Sequence, residues 1–266
     1  MIPTTSVTTT GTPVTTGQEP ERFNHTPVTS RRRLPLFAGA VVSGALVLGA
    51  ALPAGAQTGA GGTGERGDRA RTACLGAIDK RITALDKASE TLSSDKHLTD
   101  GHRDTLTTRV DSAHTGIEAI RPQVESAAAD QLKQLCSSVA TDYRVFAVLL
   151  PQVHLARIGD AAAAAQTRAD GVSAKIDEAI GRANAAGKNV DAATEAAEAL
   201  DDAVAKLGTD AQGLADQALA ITPADFNGDK DVMDPLREKG KAVRADGKAV
   251  RAAAKTVRTE LKALRG

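Results

Sequence analysis

The sequence predicts an all-α fold, an elongated antiparallel bundle of about six helices with coiled-coil-like heptad seams. Beyond residue 66, apolar side chains recur at spacings of three and four, which is the period of one helix face. Alanine, the strongest helix former, dominates the apolar residues. A single run is rich in β-branched residues, and a lone strand in a helical chain has no pairing partner.

The composition excludes several classes of function. The 266 residues include 33 Lys and Arg against 33 Asp and Glu, and aromatic residues make up 2%, with no Trp and one Tyr. Nucleic-acid binders usually combine a basic excess with aromatic stacking platforms, so we expect no nucleic-acid ligand. The sequence also lacks a nucleophile motif, a phosphate loop and a dinucleotide fingerprint. We therefore predict a protein that is not an enzyme and uses no cofactor.

The first 56 residues predict export. Residues 1–33 are rich in Thr and Pro, have no apolar periodicity and end in three arginines, so we expect a disordered, basic-ended segment. An apolar region and an A-x-A site at Ala54 and Ala56 follow, which makes residues 34–56 a signal peptide cleaved before Gln57. The apolar region is also near spanning length, so an uncleaved anchor stays open.

The export route has two interpretations. Residues 30–34 (SRRRL) resemble the twin-arginine motif, but Pro35 departs from it, so the general secretory route stays open. The basic segment is unusually long, and a start at Val28 would give the signal ordinary dimensions. Either route predicts a secreted or extracytoplasmic protein, at the cell surface or tethered to the membrane if the signal is uncleaved.

A flexible Gly-rich linker, residues 57–66, leads into a predicted three-helix unit, residues 67–150. Ser93 to Asp95 would end the first helix, and Thr99 or Asp100 would cap the second. The apolar stripes of the three helices are Leu75, Ile78, Ile82, Leu85 and Leu92; Leu106, Val110, Ala113, Ile117, Ile120 and Val124; and Leu132, Leu135 and Val139.

The chain has two cysteines, Cys74 and Cys136, each beside a core stripe of its helix. An even count in an exported chain favours a disulfide, and the alternative is a pair of buried free thiols. The bridge would close a loop of about 60 residues and contribute about 4 kcal/mol in the chain-entropy model.

Residues 143–151 (YRVFAVLLP) form the most apolar run of the predicted mature chain. We interpret the run as a buried helix end that bends at Pro151 and plugs the core. A binding groove built from the same residues is the alternative.

The C-terminal unit, residues 151–266, is predicted to contain long helices. A fourth helix runs from Pro151 to about Gly187. A fifth carries an unbroken heptad series and is stopped by Thr222 and Pro223, and Asp234 before a proline caps the sixth. The series is Ala197, Leu200, Val204, Leu207, Ala211, Leu214, Ala218 and Ile221.

The sixth helix contains a seven-residue repeat, in which GKAVR at residues 240–244 recurs at residues 247–251. Its seam contains Gly240 and Gly247. Glycine in mid-helix costs about 0.5 to 1 kcal/mol relative to alanine, so we predict that these two positions permit close helix packing. A detachable last helix is the alternative.

Basic residues follow the seam of this helix, one residue after each seam position, while the fifth helix is acidic. The first interpretation is an antiparallel hairpin with complementary charged flanks. The second is a docking stripe for an anionic cell-wall polymer or for lipid headgroups. The candidate anion-binding residues are Lys241, Arg244, Lys248, Arg251, Lys255 and Arg258.

Two metal patterns fail. Residues 225–231 place oxygens at positions 1, 3, 5 and 7 of a calcium loop, but Lys230 occupies the glycine position and Leu236 the bidentate carboxylate position. We therefore expect a polar loop with Asx turns. His97 and His102 are five residues apart, which does not match a helical zinc site, so we expect them and Asp95 and Asp100 to be solvated cap residues.

A family resemblance rests on a combination of features rather than on one motif. These features are the predicted export signal, the cysteine of the first helix, and the second cysteine followed by residues 142–146 (DYRVF) and 151–155 (PQVHL). The chain resembles a family of exported, disulfide-containing, coiled-coil-like helical proteins of high-GC Gram-positive bacteria over about residues 70–265. The resemblance implies secretion and an extended helical fold, and it implies no activity.

Two functions remain. The first is a structural or interaction protein of the cell envelope that contacts an unknown protein or cell-wall partner, or a second copy of itself, through long helical faces. The second is a binder of anionic polymer or lipid through the basic last helix.

Overall fold

The computed structural model describes residues 63–265. The predictions for residues 1–33, for the signal region 34–56 with Ala54 and Ala56, and for the first part of the linker lie outside the described residues. Helix begins at Thr63, so residues 63–66 are not linker as predicted. Glu65 lies in this first turn and lies 3.9 Å from Arg69, a placement that favours a helix start.

The predicted all-α fold is confirmed, because helices make up 87% of the described residues and that part of the chain contains no strand. Six helices have thirteen residues or more, two are short, and a π-helical turn precedes the fourth. The helices are α1 Thr63–Ser94, α2 Asp100–Ser126, α3 Ala129–Thr141, α4 Leu150–Ala185, α5 Asp191–Ala211, α6 Leu214–Ala220, α7 Pro223–Gly228 and α8 Asp234–Ala263.

The stripes of α1, α2 and α3 meet in one core. Ile78, Leu106 and Ile117 are fully buried there. Thr99 caps α2 as predicted, since its hydroxyl accepts the His102 N–H. The same core includes Val153 and Ala156 of α4, so packing is continuous across the predicted unit boundary at residue 150.

Cys74 of α1 and Cys136 of α3 lie at disulfide distance, with their Cα atoms 5.6 Å apart. This close pair confirms the predicted placement of both cysteines beside the core stripes. The two positions are separated by 62 residues, so the bond ties the first and third helices into one unit.

The apolar run before α4 fills the core but does not bend at Pro151. Val145, Val148 and Leu149 are buried in the π-helical turn, Val145–Leu149, as the core-plug interpretation predicts. Leu149 and Leu150 keep helical backbone angles and Pro151 lies in the first turn of α4, where proline is tolerated. The chain instead reverses at Arg144, which has a left-handed φ of 41°.

The predicted fifth helix is broken in two. α5 ends at Ala211, and α6 starts after Gly213, which adopts a left-handed φ of 66°. Glycine adopts this conformation without the penalty that a Cβ imposes. Leu214 and Ala218 are nevertheless buried as the heptad series predicts, because the two-residue break keeps the apolar spacing in phase.

Residues 223–228 form α7, so the polar loop predicted over residues 225–231 is confined to its last residues, where Asp229 Oδ1 accepts the Asp231 N–H at 2.9 Å, as in an Asx turn. Thr222 and Asp225 make a capping box, in which the Asp225 carboxylate accepts the Thr222 N–H at 2.8 Å. Hydrogen bonds from the Thr222 hydroxyl and backbone hold the pKa of Asp225 below its usual range. Asp225 therefore serves the helix, and no metal-binding group of three ligands occurs among residues 63–265.

The last helix packs between α4 and α5. It starts at Asp234, so Met233 rather than Asp234 holds the N-cap position. Val243 and Val257 are buried against neighbours from both helices. The segment Ala129–Ala185, which comprises α3, the π-helical turn and α4, contains a window apolar and long enough to cross a membrane, but half of that window is buried, as in a core helix.

Candidate anion-binding surface

The basic residues of α8 form two rows. Because a seven-residue repeat returns to nearly the same side of a helix, with a drift of about 20° per repeat, each row occupies one face. The arginine row is Arg244, Arg251 and Arg258, and the lysine row is Lys241, Lys248 and Lys255. All six side chains are exposed, as an anion-binding surface requires.

The arginine row flanks α4 and not the acidic α5. The predicted antiparallel pairing of α5 and α8 is present, since Val204 shares a core cluster with Val257 and Leu207 shares one with Val243. Within the described chain, none of the six cations forms an ion pair with an acidic side chain of α5, so the pairing does not use the charges of the basic residues as predicted. The ion pair that does join the two helices has the opposite polarity, with Lys206 of α5 at 2.8 Å from Asp246 of α8. The row lies on the other side of the seam because Asp246 occupies the flank that faces α5.

A groove of about 490 Å³ runs between α4 and α8, and we call it the arginine groove. Four arginines from the two helices line it together with His154. Its apolar surface comes from small and branched side chains. These apolar residues are Ile158, Ala161, Ala162, Ala165, Leu207, Val243 and Val250, and the four arginines are Arg157, Arg168, Arg244 and Arg251.

Gly247 keeps the α8 wall of this groove open. A Cβ atom built at Gly247 meets no atom within 4 Å. The predicted close packing at this position is therefore wrong. It is right at Gly240, where a Cβ atom would lie 2.6 Å from Cδ2 of the buried Leu155.

The groove is strongly electropositive. Its single lining carboxylate is Asp95, which is already engaged by Arg157 Nε at 2.5 Å and by the backbone N–H groups of His97 and Leu98. Burial alone would raise the pKa of Asp95, but these hydrogen bonds outweigh it and lower the pKa. The groove thus holds four arginines against one ionised carboxylate.

The pKa of His154 is lowered by partial burial first and then by the positive charge of the groove. That charge comes from Arg244 and Arg157. Arg244 Nη1 lies 2.8 Å from His154 Nε2, and since a guanidinium can only donate, that ring nitrogen accepts. A neutral His154 therefore helps to position Arg244 over the groove.

The basic surface continues toward the C-terminal end of α8. A second groove of about 690 Å³ lies there, with Val172 and Ile176 of α4 on its apolar side and Arg258 among its cations. Within the described residues no carboxylate lines this second groove. The lysine row lines neither groove, whereas Lys262, which lies beyond that row, lines the second groove together with Arg258 and Arg265.

Of the residues predicted to be solvated caps, His97 and Asp100 are exposed, but His102, in the first turn of α2, belongs to a structural clasp. His102 Nδ1 lies 2.9 Å from the buried Asp160 of α4, and its Nε2 lies 3.1 Å from Asp216 of α6. Burial alone would lower the pKa of His102, but the two carboxylates outweigh it and raise the pKa. Asp160 also accepts the Thr99 N–H at 2.8 Å, so this clasp joins three elements. Sequence spacing gave no signal for Asp160, because its partners are about 60 residues away.

No family model matches the chain, and neither the curated proteins nor the solved structures provide a significant match. The fold and the site define an all-α helical protein with an exposed basic helix beside an arginine-lined groove.

Proposed function

We propose that the protein is an exported, non-catalytic interaction protein of the cell envelope whose partner is an anionic lipid surface. The observation that carries this proposal is the arginine groove, where four arginines from two helices surround an apolar surface and face a single carboxylate. Guanidinium groups match the geometry of phosphate and carboxylate groups, and the lysine row adds long-range attraction.

Lipid is favoured over a wall polymer because the arginines lie beside apolar side chains. A polyanion without an apolar part would use the charges alone, whereas a lipid surface would use both. Export is supported by the apolar segment and A-x-A site of residues 34–56 and by the close pair of Cys74 and Cys136. Cleavage before Gln57 is checked by N-terminal sequencing of the secreted product.

Co-sedimentation with vesicles tests the lipid proposal. We expect the purified protein to bind phosphatidylglycerol vesicles and not phosphatidylcholine vesicles. Binding should weaken as salt rises from about 0.05 to 0.5 M, because the Debye length falls from above 10 Å to a few Å. Purified cell wall provides the comparison. Retention on cell wall with no binding to either vesicle would replace the lipid proposal with a wall-polymer partner.

A protein partner is the competing proposal, since long helical faces also suit contact with another chain. Phe146 of the π-helical turn is 51% exposed, with the Arg81 guanidinium 5.5 Å from its ring centre. Absence of binding to both vesicles and cell wall would favour that proposal.

A further inference from the structure

We propose that the arginine groove is a binding site for a single anionic phospholipid, with the headgroup phosphate held by arginines and the first part of the acyl chain lying on the apolar surface. This inference rests on the proposed lipid-binding function and adds to it a discrete site. The groove volume of about 490 Å³ falls within the range of about 300 to 1,000 Å³ that is typical of small-molecule sites.

Within the described part of the chain, two of the four arginines are not engaged by another side chain. Arg157 is engaged by Asp95, and Arg244 donates to His154. Among residues 63–265, Arg168 makes no hydrogen bond or ion pair, and Arg251 uses only its Nε, which donates to the Gly247 carbonyl in its own helix. Arg168 of α4 and Arg251 of α8 therefore present guanidinium groups from opposite walls, as a clamp on one phosphate requires.

The apolar surface of the groove exists because the side chains beneath it are small. Small residues line the groove on both walls: Ala161 and Ala165 on α4 and Gly247 on α8. They leave a space between the two helices that larger side chains would fill. Glycine in mid-helix weakens the helix relative to alanine, and close packing does not explain Gly247 because its Cβ position is empty. An open wall for an acyl chain does explain it.

The test uses a single-chain probe, so that binding does not depend on a membrane surface. Isothermal titration would compare lysophosphatidylglycerol below its micelle concentration with lysophosphatidylcholine and with glycerol phosphate. We expect saturable binding of one molecule of lysophosphatidylglycerol, and binding at least about tenfold weaker for the other two probes, because one lacks net charge and the other lacks a tail. Equal affinity for glycerol phosphate would show that the apolar surface has no role and would overturn the inference.

Charge-matched variants separate the groove from general electrostatics. The double variant Arg168→Gln/Arg251→Gln removes two guanidinium groups of the groove, and Lys248→Gln/Lys255→Gln removes the same charge from the lysine row of α8. We expect the arginine variant to lose about tenfold or more in affinity for the probe and the lysine variant less than about threefold. If both variants lose vesicle binding equally and neither changes binding of the probe, the surface function stands and the groove site is refuted.

A steric variant tests the site without changing charge. A Cβ atom at Gly247 meets no atom within 4 Å, so Gly247→Leu directs a side chain from an open position into the groove, and we expect loss of probe binding with a melting temperature no lower than that of the parent. Gly181→Leu is the matched control, since Gly181 is an exposed helix position whose Cβ also meets nothing within 4 Å. Unchanged probe binding in Gly247→Leu would refute the site.

His154 supplies a direct readout of occupancy. A phosphate held by Arg168 and Arg251 would bring negative charge into the groove that His154 also lines, and so would offset the positive charge that contributes to the lowered pKa of His154. We therefore expect the probe to raise the pKa of His154 in an NMR titration, while His114 of α2, which lines neither groove, serves as an internal comparison. A probe that binds without moving the His154 titration lies elsewhere, which contradicts the inference. Failure of both the probe and the vesicles to bind would refute the proposed function itself.

Discussion

The two glycines of the α8 seam have opposite roles, and alanine substitutions measure the difference. At Gly240 a Cβ atom would lie 2.6 Å from Leu155 Cδ2, well inside the 3.4 Å at which ordinary contact begins. Leu155 is 3% exposed, so its side chain cannot move aside freely. At Gly247 the same atom meets nothing within 4 Å.

Each substitution gains about 0.5 to 1 kcal/mol of helix stability, because alanine replaces glycine within a helix. Only Gly240→Ala also overpacks the core, at a cost of about 1 to 3 kcal/mol. The helix gain cancels in the comparison, so the two variants should differ by about 1 to 3 kcal/mol in the free energy of unfolding. For a domain of this size, 1 kcal/mol moves the melting temperature by about 2 to 4 °C.

Differential scanning calorimetry of both variants and the parent checks this expectation. Gly247→Ala should melt above the parent, and Gly240→Ala should melt at least about 2 °C below Gly247→Ala. If the two variants melt together, the α4–α8 contact at Leu155 does not exist as described and the reasoning is refuted.

Three further predictions concern the disulfide and two histidines. Cys136→Ser should lower the free energy of unfolding by about 4 kcal/mol, since the Cys74–Cys136 bond spans 62 residues. A parent protein whose free energy of unfolding, measured by chemical denaturation, is the same with and without reductant would contradict the bond. Because the pKa of His102 is raised in the folded state, the protonated histidine stabilises the fold fully below about pH 6.5, and this stabilisation is lost as pH rises through the folded-state pKa. The melting temperature should therefore fall as pH rises from about 6.5 through that pKa, and His102→Gln should remove this pH dependence. The lowered pKa of His154 has the opposite effect on the pH dependence, so the free energy of unfolding should decrease as pH drops below about 6.5, and His154→Gln should reduce that decrease. The same loss of stability at acidic pH in the parent and in His154→Gln would contradict this prediction.

Much of the bundle could be predicted from apolar spacing. Most residues of the α1, α2 and α3 stripes are buried where the sequence indicates, including Leu85 and Val124, and the others pack against them partly buried, because one helix face must leave water whatever its neighbour is. The cysteine pair followed from the same reasoning, since both cysteines lie beside stripes that pack together. Burial of Leu214 and Ala218 was also predictable even though their helix was not continuous.

Local backbone breaks were not predictable from spacing. Gly213 turns the chain within two residues and leaves the apolar phase intact, so a heptad count cannot distinguish one helix from two. Arg144 adopts a left-handed conformation that arginine rarely favours, and tertiary contacts hold it there, with Asn227 Oδ1 accepting from its Nε at 2.6 Å. The clasp of His102 and Asp160 depends in the same way on the approach of distant segments.

The candidate site was half predictable for a related reason. A seven-residue repeat determines that Arg244, Arg251 and Arg258 share one face, but it does not determine which neighbouring helix that face meets. Asp246 indicates which helix lies on which side of the seam. It is a carboxylate within the basic repeat and pairs with Lys206, so the side of α8 that carries Asp246 faces α5. The arginines are then left on the α4 side, where carboxylates are scarce.

Small side chains connect the stability of this bundle to its grooves. A seam of Gly, Ala and Val buries little apolar area per contact, at about 25 cal/mol per Å², so α8 is held by fewer large anchors than the helices around the disulfide. The same seam cannot fill the space between helices wherever their separation is set by larger residues such as Leu155 and Leu207. Close contact at Gly240 and an open wall at Gly247, seven residues apart on nearly the same face, are two results of one composition. A ligand that fills the open part would supply apolar contact that the seam lacks, so occupancy of the groove should stabilise α8 against α4 by mass action.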